Sequence, residues 1–219
     1  MSEGPIPVPE NLLEALEHLE ADGLVAFPTE TVWGLAARAN SLPAVERLQA
    51  FKGRAEHHPI SVLIDSPASL DSLGVALNPL LLAVAEAFWP GPLTLVVPGP
   101  DPGQFAAGIA GPNGAVGIRC SDHPLANMLV REALARGLGP LTATSFNRGG
   151  ETPVETHSQA VLLANSDTRA AVITLQAGAH DAAGALPSTV LDLFSSEPKV
   201  LREGPISERE LAKLFSGFR

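Results

Sequence analysis

Leu12, Leu16 and Leu19, with Leu13 beside them, recur at helical spacing within residues 11–22, which predicts a helix with one apolar face closed by Gly23. The period then changes. Leu24-Val25-Ala26-Phe27 is an uninterrupted apolar run of strand length, as expected for a strand covered on both faces. The exchange repeats along the chain. A helix over residues 43–51, with Pro43 in its first turn, precedes the run Ile60-Ser61-Val62-Leu63-Ile64. An apolar helix over 78–88 is broken by Trp89-Pro90-Gly91-Pro92 before a strand at 93–97. Strands at 115–119 and 141–145 bracket a helix over 123–136, for which Asp122 is the expected cap. Beyond these lie a short helix at 158–164, strands at 171–175, 189–193 and 199–202, and a last helix opened by the capping box Ser207-Glu208-Arg209-Glu210. Residues 98–114, rich in Gly and Pro, predict a long surface loop.

Helices alternating with strands first, and strands clustering later, define an α/β fold with a twisted mixed β-sheet flanked by helices. Neither a low-complexity linker nor an internal repeat interrupts it, so residues 1–219 read as one domain. No apolar run reaches the ~18 residues of a membrane span. Met1-Ser2-Glu3-Gly4-Pro5 lacks the basic and apolar regions of a secretory leader, which makes a cytoplasmic location the expectation. The single Cys120 excludes an internal disulfide and a multi-cysteine zinc site. With 14 Lys and Arg against 24 Asp and Glu, the net charge of -10 opposes nonspecific attraction to a polyphosphate backbone.

Polar groups interrupt this apolar framework where strands are expected to end. Pro28-Thr29-Glu30-Thr31-Val32-Trp33-Gly34-Leu35 follows directly on the first strand, and turns ordinarily rely on Asn, Asp or Gly, so these side chains can face a ligand. Lys52-Gly53-Arg54 sets a point charge and a bidentate fork two positions apart, a pair suited to adjacent phosphates; by residue type alone it reads as a solvated basic turn. Thr142-Ala143-Thr144-Ser145-Phe146-Asn147 brings hydroxyl and amide groups to a strand's carboxyl end, which suits a ligand site and, taken alone, a turn. Arg119 leaves a buried strand either as a salt-bridge former or as a carboxylate fork. No Gly-x-x-x-x-Gly-Lys phosphate loop is present, His57-His58 lacks a third ligand at zinc spacing, and Ser145 has no nucleophile elbow.

The octet at 28–35 resembles the Pro-Thr-Glu-Thr-Val-Tyr-Gly-Leu signature of the Sua5/YciO/YrdC family, the threonylcarbamoyl-adenylate synthases, with Trp33 in place of Tyr. Further motifs follow in order: Lys52-x-Arg54, Trp89-Pro90-Gly91-Pro92-Leu93-Thr94, Ser145-x-Asn147 and Ser188-Thr189-Val190-Leu191-Asp192. The resemblance covers nearly the whole chain and implies a single YrdC-like domain of the family's short form. It implies that Lys52 and Arg54 are the catalytic pair on the nucleotide phosphates, with His58, Ser145, Asn147 and Arg202 completing the ATP site. Thr31, Arg119 and Ser188 are implied to hold L-threonine. Ala55, His58, Ile60, Leu63 and Gly149 depart from the family's common residues.

The implied reaction joins L-threonine and bicarbonate or CO2 to AMP and releases pyrophosphate, with Mg2+ arriving on ATP rather than at a dedicated protein metal site. Its product, threonylcarbamoyl-AMP, would pass to downstream tRNA threonylcarbamoyl-transfer proteins for N6-threonylcarbamoyladenosine modification of tRNA. Two further readings stand beside it. One is a double-stranded RNA-binding module without catalysis, and weak RNA binding is an expectation of the family fold; the other is a family member acting on another amine, which His58 and Leu63 permit.

Overall fold

The first apolar run forms β1 (Leu24–Phe27), buried along its whole length. It pairs antiparallel with β2 (Gly34–Ala36), Phe27 opposite Gly34, so residues 28–33 are the loop of a hairpin. Gly34 is needed for this closure, because a Cβ there would lie 2.5 Å from the Phe27 ring. With only three residues, β2 shows no period in the sequence. The computed structural model describes residues 8–53, 60–100, 103–166, 172–175 and 186–215.

Seven further strands are β3 (Ser61–Ile64), β4 (Leu93–Pro98), β5 (Ala115–Cys120), β6 (Leu141–Ser145), β7 (Val172–Thr174), β8 (Thr189–Asp192) and β9 (Lys199–Arg202). They complete one sheet in the order β7-β1-β2-β6-β3-β5-β4-β8-β9. β1 with β7, β3 with β5 and β4 with β8 pair parallel, and the other neighbours antiparallel, which makes the sheet mixed as the sequence predicts.

Helices α1 (Leu12–Glu20), α2 (Leu42–Lys52), α3 (Ser69–Ser72), α4 (Pro79–Phe88), α5 (Pro124–Ala135), α6 (His157–Asn165) and α7 (Glu208–Phe215) flank it. α1 buries Leu12, Leu16 and Leu19 but turns Leu13 to solvent at 55% exposure, so the apolar face is narrower than its four leucines imply. The residue that ends α1 is Asp22, with φ of 60°, not Gly23. The Asp22 and Gly23 N–H groups return to the Leu19 and His18 carbonyls, closing a Schellman turn one position earlier than expected.

α5 is capped by His123, not Asp122: His123 Nδ1 accepts the Leu125 N–H at 3.2 Å. Pro124 is the cause, because it holds the preceding residue extended (ψ of 123° at His123) and so makes it the boundary residue. α7 has the expected box, in which Glu210 Oε2 accepts the Ser207 N–H at 2.9 Å and Ser207 Oγ accepts the Glu210 N–H at 3.3 Å. Within the predicted surface loop, Ile109 is fully buried and its carbonyl accepts the Ile60 N–H at 3.4 Å. That stretch is packed against the body of the fold rather than lying free on it.

Alternation along the central strands decides what each face does. Val62, Leu95, Val97, Ile118, Cys120 and Leu191 point one way into a core shared with Leu125 and Leu129 of α5. Their neighbours in sequence point the other way and form the floor of a cleft.

Candidate active site

Two rows of side chains pave that floor. Strand register sets Val190 beside Thr94, Thr94 beside Arg119, and Arg119 beside Leu63, across β8, β4, β5 and β3. One step along the pleat, Asp192 lies beside Val96, Val96 beside Gly117, and Ser61 beside Ala143 of β6. All of these line a cleft of about 590 Å³, within the ordinary range for small-molecule sites. Five adjacent strands contribute, a span of roughly 19 Å at the usual strand spacing. Gly117 keeps the middle of the floor open: a Cβ there would lie 2.7 Å from Ser61 Oγ.

The hairpin loop covers one end of this floor and meets Arg119. Arg119 Nη2 donates to Thr31 Oγ1 at 2.6 Å, to Glu30 Oε1 at 3.0 Å and weakly to Thr29 Oγ1 at 3.4 Å. The Thr29 hydroxyl gives its proton to the Val32 carbonyl at 2.6 Å, so Thr31 is the donor in the 2.9 Å contact between the two threonines. Glu30 also accepts from Ser121 Oγ through its second oxygen. Burial alone would raise the Glu30 pKa, but the charge of Arg119 and the hydrogen bonds from Ser121 and Arg119 outweigh it and hold the carboxyl below its usual 4.5. Arg119 itself is buried, and its Nε has no hydrogen-bond partner among the described residues. A buried, unpaired N–H is costly, and an acceptor entering the cleft would satisfy it.

At the β6 end, Lys52 closes α2 and is itself buried. Its Nζ donates to the Ser145 carbonyl and to Asn147 Oδ1, both at 2.6 Å. Asn147 is fully engaged: Oδ1 also accepts from Ser145 Oγ at 2.6 Å, and Nδ2 donates to the Arg148 and Glu151 carbonyls at 2.8 and 2.7 Å. Arg148 adds a second tie, donating to the Phe51 carbonyl at 2.6 Å with its guanidinium 4.1 Å above the Phe51 ring. The end of α2 and the turn after β6 are therefore one unit.

Across the floor, Thr94 and Ser188 hydroxyls lie 2.8 Å apart, and Arg202 clamps the Ser188 carbonyl from Nε and Nη2 at 3.1 and 2.8 Å. Of the residues singled out from the sequence, Arg119, Ser145, Ser188 and Arg202 line the cleft. Thr31, Lys52 and Asn147 are buried and do not line it; each supports a residue that does. Arg54 and His58 lie outside the described residues. Ser61 and Thr94 line the cleft without having been singled out, and Thr29 lines it from the octet whose side chains were expected to face a ligand. Thr94 was within reach of parity reasoning, since it ends the Trp-Pro-Gly-Pro-Leu-Thr run, but its pairing with Arg119 depends on register.

An open mixed sheet carrying a cleft on one face, where the buried Arg119 guanidinium, the Asp192 carboxylate and the hydroxyls of Ser61, Thr94, Ser145 and Ser188 are set among apolar side chains, has the geometry of an α/β small-molecule-binding domain. The sequence model of the Sua5/YciO/YrdC family, described as Telomere recombination, matches residues 17–204, and the chain belongs to that family. Among its relatives, a threonylcarbamoyl-AMP synthase of Chromohalobacter salexigens is 34% identical over 191 residues, covering 86% of this chain and 95% of the relative. The threonylcarbamoyl-AMP synthase of Bacillus subtilis is 33% identical, covering 91% of this chain and 55% of the relative. The crystal structure of P. abyssi Sua5 complexed with L-threonine superposes with a TM-score of 0.79 at 32% identity, covering 93% of this chain and 56% of that one. The chain thus spans just over half the length of the Bacillus and Pyrococcus proteins. E. coli YciO shares the fold, with a TM-score of 0.76 at 21% identity, covering 96% of this chain and all of that chain.

Proposed function

We propose that this protein is an L-threonylcarbamoyladenylate synthase, making threonylcarbamoyl-AMP and pyrophosphate from L-threonine, bicarbonate or CO2, and ATP. The observation that carries the reading is Arg119, with the Thr94 hydroxyl beside it and Ser61 further along, on an otherwise mainly apolar floor that continues to Ser145, in a cleft long enough for an amino acid and a nucleotide side by side. Arg119 is the carboxylate fork for threonine, and the Thr94–Ser188 pair borders the same end. Lys52 and Asn147 shape the Ser145 turn that receives the nucleotide, and Lys52 lends it positive charge. Arg202 approaches from across the floor, where it clamps the Ser188 carbonyl, and the family resemblance adds Arg54 and His58, outside the described residues, as further ATP contacts.

The threonine amine, once converted to its carbamate, attacks the α-phosphorus of ATP through a carbamate oxygen; the bond to the β-phosphate oxygen breaks and pyrophosphate leaves. Such a step depends on alignment and charge neutralisation rather than on a protein nucleophile. Among the described residues, no group of three or more His, Cys, Asp or Glu side chains converges to hold a metal ion. Mg2+ enters this reading with the substrate, as Mg-ATP. The product supplies tRNA N6-threonylcarbamoyladenosine modification through a downstream transfer protein, a cytoplasmic role.

Pyrophosphate release from purified protein with Mg-ATP and bicarbonate, with and without L-threonine, tests the proposal. Threonine-dependent release is the expected result. Release that follows another amino acid instead reassigns the amine, and no release alongside tight, salt-steep binding of double-stranded RNA replaces the enzyme with a binding module.

A further inference from the structure

Glu30 ion-pairs with Arg119 at 3.0 Å, yet it does not line the cleft. Its two carboxylate oxygens face different partners, one Arg119 Nη2 and the other Ser121 Oγ. Ser121 is fully buried, and its Oγ accepts the His123 N–H at 3.2 Å, at the residue that caps α5. A continuous chain of polar contacts thus runs from the start of α5 through Ser121 and Glu30 to the guanidinium. Among the described residues, all hydrogen bonds of the guanidinium pass through Nη2. The buried Nε makes none to the described residues. An arginine on a flexible stem loses rotamer freedom when it grips a carboxylate, and one already fixed at a single nitrogen has lost it beforehand.

We propose that Glu30, itself fixed by Ser121, is a positioning residue that holds Arg119 by Nη2 and so presents the rest of the guanidinium to the carboxylate of the amine substrate. This rests on the reading of the cleft as the threonine and ATP site. A contact that merely glued the hairpin to β5 would affect both substrates alike, whereas a positioning role affects only the one that Arg119 grips.

The test is steady-state pyrophosphate release with L-threonine and ATP varied in turn, on wild type, Glu30→Gln and Ser121→Ala, with thermal unfolding recorded for each. Glu30→Gln is expected to raise the KM for L-threonine about tenfold, while kcat and the KM for ATP stay within about twofold. Ser121→Ala is expected to change the same parameter in the same direction by about two- to threefold, and it carries the test if Glu30→Gln does not fold. An unchanged KM for threonine, or a parallel rise for both substrates, overturns the proposal. If wild type itself shows no threonine-dependent release, the functional reading has failed. The positioning role is then judged by arginine side-chain NMR, which needs no turnover: restricted rotation at Arg119 Nη2 that is released in Glu30→Gln supports it, and equal rotation in both proteins overturns it.

Discussion

Lys52 Nζ and Asn147 Oδ1 meet at 2.6 Å although 95 residues separate them in the chain. The lysine is 1% exposed, and the asparagine has both ends of its side-chain amide in use within the protein. The two motifs that resemble nucleotide-binding elements are therefore one structural unit before any ligand arrives.

Lys52→Met should consequently cost stability as well as activity. Losing the charge-assisted bonds to Ser145 and Asn147 is expected to lower unfolding free energy by about 2–3 kcal/mol, or roughly 5–10 °C in Tm, with threonine-dependent turnover down about 10- to 150-fold. Calorimetry beside the pyrophosphate assay checks this. An unchanged Tm would mean that the amine acts only on the ligand.

Gly117→Val should leave the fold in place and close the site. The new side chain projects from the middle of the floor, where a Cβ already lies 2.7 Å from Ser61 Oγ. The expected outcome is native circular dichroism with turnover lost by about 100-fold or more, while Gly117→Ala, which needs the Ser61 hydroxyl to rotate and its Cβ, 3.3 Å away, to give slightly, retains a measurable fraction. Equal activity in all three proteins would remove the cleft floor from the reaction.

Glu30 gives a pH dependence of known sign. Its folded pKa lies below the ordinary 4.5, because the Arg119 charge and the Ser121 and Arg119 hydrogen bonds outweigh the opposing effect of burial. Its contribution to stability is therefore complete above pH 4.5 and is lost as the pH falls through the lowered folded value. Denaturant titrations of wild type and Glu30→Gln across pH 3 to 7, about the range that brackets this change, should show a gap that is constant at the upper end and narrows on acidification. A gap that widened with acid would reverse the assignment.

Cys120 should be inert in the native state. Burial first, and then the charges of Asp65, Glu30 and Asp122, push its thiol up to about 12, and the side chain has no exposed surface. A disulfide reagent at pH 8 should titrate no thiol until denaturant is added, and one thiol afterwards. Rapid labelling of the native protein would show that β5 opens locally.

Element types and their order were legible in the chain because hydrophobic period is a local property: the run at Leu24 to Phe27 needs no partner to read as a strand, and Ser207 with Glu210 needs none to read as a cap. Cap positions failed by one residue at Asp122 and Gly23, where a following proline and a left-handed aspartate moved the boundary. Chemistry was legible by residue type, and Arg119, Ser145, Ser188 and Arg202, singled out on that ground, border the cleft. Which polar side chains border the cleft and which stand behind them was decided only in three dimensions. Thr31, Lys52 and Asn147 resemble ligand contacts in one dimension and lie behind the wall, while Thr94 and Ser61 look like ordinary strand residues and lie on the floor. The reason is register: parity within a strand comes from its own sequence, but the neighbour across the sheet comes from a distant segment, and only pairing β3, β4 and β8 around β5 places Leu63, Thr94 and Val190 in line with Arg119.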